Sequence, residues 1–215
     1  LDAITGLERW RFQSLANISS SPLTANDAVY FGSSDGYFYA VNKLTGTLIW
    51  KFATGGMINQ SGASLVDGIL YFGSRDGNLY AVNAVDGTLA WKYDTGGISL
   101  EMSSPTVKDG VVYIGGWYKM DFQTAGSVYA VEASTGRLIW EKLQNVGFSS
   151  SPFVSSNRLF ITGDDGNITA LNTADGSILW QQKIYANSAS PVEAHGIVYV
   201  GGSGTGKIYA FDAET

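Results

Sequence analysis

The chain has 215 residues, of which 15% are charged, and a formal net charge of −6 at pH 7. Its 13 Lys and Arg residues are scattered, which argues against binding to nucleic acid or to an acidic membrane surface, because clustered basic side chains hold both. Cys is absent, so disulfides and cysteine-based catalysis or metal binding are excluded. No apolar stretch approaches the roughly 18 residues of a membrane-spanning helix, so no membrane insertion is expected.

Tryptophan recurs along the chain at nearly constant spacing. The intervals are 40, 41, 49 and 40 residues, and each Trp ends a phrase in which a Thr-Gly or Asp-Gly turn precedes a short apolar run. A period of about 40 residues indicates one structural unit that is repeated. The repeated residues are Trp10, Trp50, Trp91, Trp140 and Trp180.

Each repeat is predicted to form four short strands, named A to D. In the copy at residues 19–53, strand A begins at residues 20–23, and strands B, C and D cover residues 29–32, 37–42 and 48–52. Asn-Asp, Asp-Gly and Thr-Gly pairs separate them, and such pairs are typical of tight turns between antiparallel strands. The remaining copies are predicted at about residues 60–93, 102–142, 149–182 and 188–215.

The strand pattern predicts sheets that stack on one another. Strands B and C are apolar on both faces, as in Leu79, Tyr80, Ala81 and Val82, and a sheet of this kind must be covered on both sides. Strand D has a polar residue directly after its Trp in every copy, which fits an outer edge strand with one solvated flank. Radial stacking of four-stranded antiparallel sheets gives an all-β fold, the β-propeller.

The two ends of the chain predict how such a ring closes. Residues 1–13 supply a strand D, Leu7–Phe12, whereas the last copy supplies strands A to C and stops after Ile208–Phe211. Pairing of these two segments would complete a fifth blade, so we predict a five-bladed propeller in a single domain spanning residues 1–215. The alternative is an open piece of a larger ring.

The repeated phrase resembles the repeat of the pyrroloquinoline quinone (PQQ)-like propellers over essentially the whole chain. In the first copy it is carried by Ser20-Ser21-Pro22, Tyr30-Phe31-Gly32, Asp35-Gly36, Tyr39-Ala40-Val41, Thr45-Gly46 and Trp50. The resemblance implies that the Trp and Gly residues pack the blades. This family includes quinoprotein dehydrogenases, a lipoprotein scaffold of outer-membrane β-barrel assembly and sensor domains, so the fold does not choose the function. A periplasmic or extracellular location is expected.

A quinoprotein dehydrogenase would resemble a larger ring of about eight blades, with calcium-bound PQQ held near an Asp base, a Glu and an Asn, often beside a Cys pair. This chain has no Cys, five copies of the repeat and no Asp that matches the base. We therefore expect no catalytic residue, no cofactor and no metal. A PQQ-dependent quinoprotein or a fragment of one remains the alternative.

The third repeat departs from the others between strands B and C. Eleven residues, 116–126, replace the usual turn of four, and they include Trp117, Tyr118, Met120 and Phe122, which are costly to expose to water. Two interpretations are open. The insertion is a loop that folds its aromatic side chains onto the ring, or it forms the rim of a binding surface, where insertions in repeat proteins often lie.

The loops that join strand D to the next strand A share one face with this insertion, because B–C and D–A connections lie at the same end of a four-stranded meander. Alignment of these loops places Glu101 at the same position as Ile18, Asn59, Phe148 and Asn187. Glu101 carries the only charge at this position. It is either an ordinary solvated carboxylate or an acceptor for a hydrogen bond or a cation at a concave mouth.

The sequence therefore favours a non-catalytic binding or scaffolding propeller that presents the D–A and B–C loops to a protein, peptide or small ligand. A repeat with no binding site is a third hypothesis. The candidate binding residues are Asn59, Gln60, Glu101, Trp117, Tyr118, Phe122, Phe148 and Asn187.

Three other features are assigned to turns. His195, the only His, precedes Gly196 between strands A and B of the last copy. Residues 164–167 resemble the start of a calcium loop but lack its later ligands. The glycine-rich residues 201–206 join two strands and open no helix, as a phosphate-binding loop would.

Overall fold

The structure is a computed structural model that describes residues 1–120, 123–186, 188–203 and 205–215, with the backbone alone for residues 119, 120, 123 and 124. Over these ranges the chain forms twenty β-strands in five antiparallel sheets. No helix in the same ranges is long and apolar enough to cross a membrane. The all-β fold class is confirmed.

Three sheets are four-stranded meanders in the predicted order A-B-C-D. The first contains β1 (Leu23–Ala25), β2 (Ala28–Gly32), β3 (Tyr37–Asn42) and β4 (Leu48–Ala53). The second contains β5 (Ser64–Val66), β6 (Ile69–Gly73), β7 (Asn78–Asn83) and β8 (Leu89–Asp94). The fourth contains β14 (Phe153–Ser155), β15 (Arg158–Thr162), β16 (Asn167–Asn172) and β17 (Ile178–Lys183).

The third sheet has an additional strand, β11 (Tyr118–Met120), which pairs with the beginning of a lengthened strand C. The interpretation of residues 116–126 as a loop is therefore wrong for most of the insertion. Aromatic residues such as Trp117 and Tyr118 favour extended backbone, and β11 and the beginning of strand C prolong the B–C hairpin beyond the blade. The other strands are β9 (Thr106–Lys108), β10 (Val111–Gly115), β12 (Gln123–Glu132) and β13 (Leu138–Gln144).

The fifth sheet has three strands, β18 (Val192–Ala194), β19 (Ile197–Gly202) and β20 (Lys207–Asp212). In the described part of the chain, residues 7–12 are not a strand and no pairing joins them to β20. Phe12 instead packs against Phe31 and Tyr39 of the first sheet, with ring centroids 5.8 and 5.3 Å apart. The predicted closure of the fifth blade is therefore not confirmed, because the segment lies against the first sheet without a backbone partner.

The five sheets stand side by side with strand A on the inside. The first strands of the second to fifth sheets contact one another in the order β5, β9, β14 and β18. Strand D lies on the outside, where Lys51, directly after Trp50, is exposed as predicted. This arrangement gives the stack two faces of different composition.

We call these two ends of the sheets the loop face and the turn face. The loop face carries the B–C turns and the D–A loops, which are joined by bonds such as Thr54 N–H to Gly36 O at 2.8 Å. The turn face carries the A–B and C–D turns, joined by bonds such as Ala84 N–H to Gly68 O at 2.9 Å.

Four of the five repeated Trp residues pack on the C–D turn of the sheet that follows them. The ring of Trp50 covers Gly87 in the next C–D turn, where a Cβ on the glycine would lie 2.7 Å from indole Cδ2. The indole N–H donates to Ala84 O at 3.1 Å. The same contact is made by Trp10 on Gly46, Trp91 on Gly136 and Trp140 on Gly176.

We predict that Gly87→Ala lowers the free energy of unfolding by about 2–5 kcal/mol, measured by urea denaturation. Gly87 has a φ of +72°, which costs a residue with a Cβ roughly 1–2 kcal/mol. The clash with Trp50 adds about 1–3 kcal/mol.

The matched control is Gly110→Ala. Gly110 has a φ of +76° and no heavy atom within 4 Å of the added Cβ, so only the backbone cost of roughly 1–2 kcal/mol applies. Equal losses in the two variants would contradict the role of the Trp–Gly contact.

Candidate functional site

Glu101 is a buried carboxylate on the loop face. It is 3% exposed, so its interpretation as an ordinary solvated carboxylate is wrong. Asn59 Nδ2 donates to Glu101 Oε2 at 2.8 Å, and Arg75 Nε lies 3.8 Å from Oε1. Burial raises the pKa of Glu101, and neither the Arg75 charge nor the Asn59 hydrogen bond cancels this effect.

The D–A loop is anchored around Glu101 from both sides. Leu100 is fully buried, and its Cβ would lie 2.7 Å from a Cβ placed on Gly73, so glycine is needed for this close approach. The carbonyl oxygen of Glu101 accepts hydrogen bonds from the backbone N–H groups of Gln60 at 3.0 Å and Ser61 at 2.7 Å. The position of the carboxylate is therefore set by the packing of two neighbouring loops.

The structure corrects the predicted equivalence of Phe148 with Glu101. Phe148 is 1% exposed and packs against Gly115, as Leu100 packs against Gly73. The residue that corresponds to Glu101 is Ser149, whose hydroxyl lies 3.5 Å from Asp164 Oδ2 in the facing B–C turn. The alignment fails because this loop has one residue fewer between its buried apolar side chain and the following buried serine, Ser150.

The beginning of the insertion forms one wall of a cavity of about 360 Å³ on the loop face. Trp117 forms a two-bond bridge with Ser99, with N···O distances of 2.9 and 3.0 Å. Directly opposed residues of an antiparallel bridge place their side chains on the same face, so these two side chains lie together. The lining residues are Arg75, Gly97, Ser99, Trp117 and Tyr118.

Unpartnered polar atoms concentrate at this end of the second and third sheets. Within the described residues, six buried side-chain polar atoms have no hydrogen-bond partner, and such atoms call for an explanation because each is costly to bury. Two of them, Ser99 Oγ and Trp117 Nε1, belong to residues that line the cavity. The others are Asn78 Oδ1, Tyr129 OH, Gln144 Nε2 and Arg158 Nε.

Asp164 extends the site toward the fourth sheet. A Cβ on Gly147 would lie 2.5 Å from Asp164 Oδ2 and 2.9 Å from Trp117 Cβ, so the two side chains flank this glycine. Partial desolvation raises the pKa of Asp164 although the residue is exposed, whereas Glu101 is buried. The loop face therefore carries two carboxyl groups whose pKa is raised.

Sequence reasoning missed Arg75, Ser99 and Asp164. Arg75 could have been found from the sequence, because it is a cation at a turn position where the first and fourth copies have Ser34 and Asp164. Ser99 gave no signal, since small polar residues are common in all of these loops.

The remaining predicted residues divide between the site and its surroundings. Asn59 is half-buried against Glu101, whereas Gln60 and Tyr118 are exposed on the loop face. Phe122 and Asn187 lie outside the described residues. His195 has a φ of +55° in an A–B turn, as predicted, and the segments at 164–167 and 201–206 connect strands of the fourth and fifth sheets.

A second cavity, of about 600 Å³, lies on the turn face between the second and third sheets. The sequence did not predict it. Its aromatic polar groups are already paired, because Trp91 Nε1 and Tyr71 OH both donate to Ala133 O, at 2.8 and 3.2 Å. We therefore attribute this groove to blade packing and place the candidate site on the loop face.

Among the described residues, no group of three or more His, Asp or Glu residues could hold a metal ion. Glu101 lies beside the guanidinium of Arg75 at 3.8 Å, which would repel a divalent cation placed on this carboxylate.

We predict that Glu101→Gln gains stability relative to the unchanged protein as the pH rises from 4 to 7, measured by urea denaturation at several pH values. The pKa of Glu101 is raised in the folded state, so folding favours the protonated form. The protonated carboxyl group therefore contributes to the stability of the fold below the unfolded pKa. This contribution is lost as the pH rises through the folded pKa. Gln stays neutral and can keep the hydrogen bond from Asn59.

Glu132→Gln is the control of opposite sign. The hydroxyl of Thr135 and the charge of Arg137 lower the pKa of Glu132, so its ionised form contributes stability above the unfolded pKa. This variant is expected to lose stability relative to the unchanged protein over the same pH range. Parallel pH profiles for the two variants would contradict the assignment of Glu101 as a carboxylate destabilised by burial.

Comparison with known proteins places this architecture in a family. A family model described as the outer membrane protein assembly factor BamB matches the chain at residues 1–120 and 101–215. BamB of Escherichia coli K12 is 35% identical over 194 residues, which cover 81% of this chain and 46% of the relative. The quinoprotein alcohol dehydrogenase PedH of Pseudomonas putida is 28% identical over 134 residues, which cover 53% of this chain and 21% of that enzyme.

The solved structures show the same fold. The quinohemoprotein alcohol dehydrogenase ADHIIG of Pseudomonas putida HK5 superposes with a TM-score of 0.71 at 19% identity, over 94% of this chain and 43% of that one. The chain spans less than half the length of each of these three proteins. Because the family model covers the chain from end to end, this protein belongs to the PQQ-like repeat propeller family that includes the outer membrane protein assembly factor BamB.

Proposed function

We propose that this protein is a non-catalytic scaffold whose loop face binds another protein during outer-membrane protein assembly. The relatives named as outer membrane protein assembly factors support a role in this process. The loop face is the surface to which we assign the binding of the partner protein. The observation that carries the proposal is a pair of buried polar atoms, Ser99 Oγ and Trp117 Nε1, which belong to residues that line the cavity and have no partner among the described residues. Such atoms are costly to bury alone, and a bound partner that displaces the groups covering them would satisfy them.

The composition of the loop face also supports a protein partner. Tyr118 is 37% exposed and Met57 is 40% exposed, and both lie beside the polar cluster around Arg75. Aromatic, Met and Arg side chains are the types enriched at protein interfaces. The cavity of about 360 Å³ is large enough to receive one side chain of a partner.

We propose a periplasmic location for the same reason. Outer-membrane proteins are assembled from the periplasmic side, and the relatives named as assembly factors support the same compartment for this chain.

A quinoprotein function is the second candidate, because PedH is similar over 53% of this chain. The poor fit of the described residues to calcium and the missing Cys pair weigh against it. The two candidates differ in a property that is simple to measure, the effect of the cofactor on thermal stability.

We predict that a photo-reactive p-benzoylphenylalanine at position 118 cross-links to a protein of the outer-membrane assembly process in cells of the source organism. The exposed ring of Tyr118 would lie within the interface, and mass spectrometry identifies the product. The matched control is the same residue at Val85, which is 78% exposed in a C–D turn of the turn face. Cross-linking at Val85 and not at Tyr118 would contradict the proposed surface.

We also predict that calcium together with PQQ leaves the melting temperature unchanged, measured by differential scanning calorimetry. A cofactor at about 100 times its Kd would add about 2.7 kcal/mol, or a rise of roughly 5–10 °C for a chain of this size. Calcium alone and PQQ alone are the controls. A rise of that size with both together, absent with either one, would favour the quinoprotein function.

A further inference from the structure

We propose that the cavity formed by Arg75, Ser99 and Trp117 is a recognition pocket for a carboxylate group of the partner. The proposal rests on the proposed function, because it names the chemistry that the loop face would recognise. It places the recognition on the Arg75 guanidinium, a cation in a chain whose formal net charge is −6.

The donors in this pocket have few acceptors of their own. Among the described residues, Arg75 has two partners, Met57 Sδ at 3.8 Å from Nη1 and Glu101 Oε1 at 3.8 Å from Nε. The thioether sulfur of Met57 is a weak acceptor. The distance of 3.8 Å between Nε and the Glu101 oxygen is too long for a hydrogen bond. The guanidinium thus retains donors that no nearby oxygen satisfies, although it is 55% exposed and can reach a ligand.

Ser99 and Trp117 supply two further donors of fixed position. Their backbones are tied together by the two-bond bridge, and neither Ser99 Oγ nor Trp117 Nε1 has a partner among the described residues. An indole N–H can donate but cannot accept, so the ligand atom that pairs with it must be an acceptor. Arg75 therefore presents an exposed cationic donor at the cavity, whereas Ser99 Oγ and Trp117 Nε1 are buried beside it. A ligand atom pairs with these two donors only when the groups that cover them move.

A carboxylate is the ligand group that matches this set. It accepts from several donors at once, and it pairs with a planar guanidinium through two parallel hydrogen bonds. Glu101 does not occupy this role, because its Oε2 already accepts from Asn59 and its Oε1 remains 3.8 Å from Arg75. Glu101 instead holds the guanidinium at the edge of the cavity, where a second carboxylate can meet it.

The test follows the indole N–H resonance of Trp117 in ¹⁵N–¹H correlation spectra, assigned by its loss in Trp117→Phe. The probes are acetyl-Ala-Glu-Ala-amide, its Gln counterpart as the neutral isostere, and acetyl-Ala-Ala-Ala with a free carboxyl terminus, at constant ionic strength. We expect a saturable shift with a carboxylate probe and none with the Gln peptide. A shift with the Glu peptide alone assigns a side-chain carboxylate, and a shift with the free-acid peptide alone assigns a chain terminus.

Two variants, each of which removes one arginine charge, distinguish binding in the pocket from a general electrostatic effect. Arg75→Gln should weaken the apparent affinity of the active probe at least tenfold, whereas Arg137→Gln, an exposed Arg of a C–D turn on the turn face, should leave it unchanged. Equal weakening in both variants, an equal shift with the Gln peptide, or no shift with any probe would overturn the proposal.

The outcomes also distinguish this inference from the proposed function. A carboxylate response that depends on Arg75, together with no cross-link from position 118, would retain the pocket and reject the protein partner. A cross-link from position 118 that persists in Arg75→Gln at full yield would retain the binding face and reject the carboxylate pocket.

Discussion

The contact between each repeated Trp and the turn of the next sheet is the constraint on which the rest of the structure depends. A four-stranded sheet with two apolar faces cannot stand alone in water, so each blade needs a neighbour at a defined distance. The indole ring sets this distance, since it rests on a glycine that has no Cβ and donates to a carbonyl of the same turn, as Trp140 does to Thr173 O at 2.8 Å. Across each Trp in its own sheet stands an alanine, Ala130 in this case.

The side chains of the loop face differ from sheet to sheet, because the Trp–Gly contacts that hold the blades together lie elsewhere. Packing of Trp on Gly holds the outer part and the turn face of each blade, whereas the B–C turns and D–A loops are held by short hydrogen bonds and one buried apolar residue per loop. The pairs formed between these loops differ from sheet to sheet. Ser34 meets Asn59, Arg75 meets Glu101 and Asp164 meets Ser149.

The third sheet lacks a hydrogen bond that the first and second sheets have near their B–C turns. In the first and second sheets a B–C turn Asp accepts from a strand C tyrosine, as Asp76 does from Tyr80 at 2.7 Å. The insertion replaces that turn, and within the described residues the corresponding Tyr129 hydroxyl is buried without such an Asp partner. The loss of a hydrogen bond of this kind is destabilising in isolation.

Most of the fold could be predicted from the sequence, because the repeat supplies five copies of the same pattern. The strand order, the turn residues and the outer position of Trp50 follow from alternation, glycine placement and the polar residue after each Trp. Closure could not be predicted, since Leu7–Phe12 has the same pattern whether it pairs with a strand or packs on the first sheet. The burial of Glu101 was missed because it depends on contacts with a neighbouring loop. The burial of Phe148 was missed because its loop is one residue shorter than the loops with which it was aligned.

The central claim is that the loop face at the second and third sheets is the binding surface of this propeller. The most direct measurement is backbone hydrogen exchange of the full chain, alone and with its protein partner. Our account predicts protection at residues 55–62, 74–77 and 97–103, with no change in the A–B and C–D turns. Protection confined to the turns around Asp67, Asp109 and Ser134, which line the groove on the turn face, would contradict it.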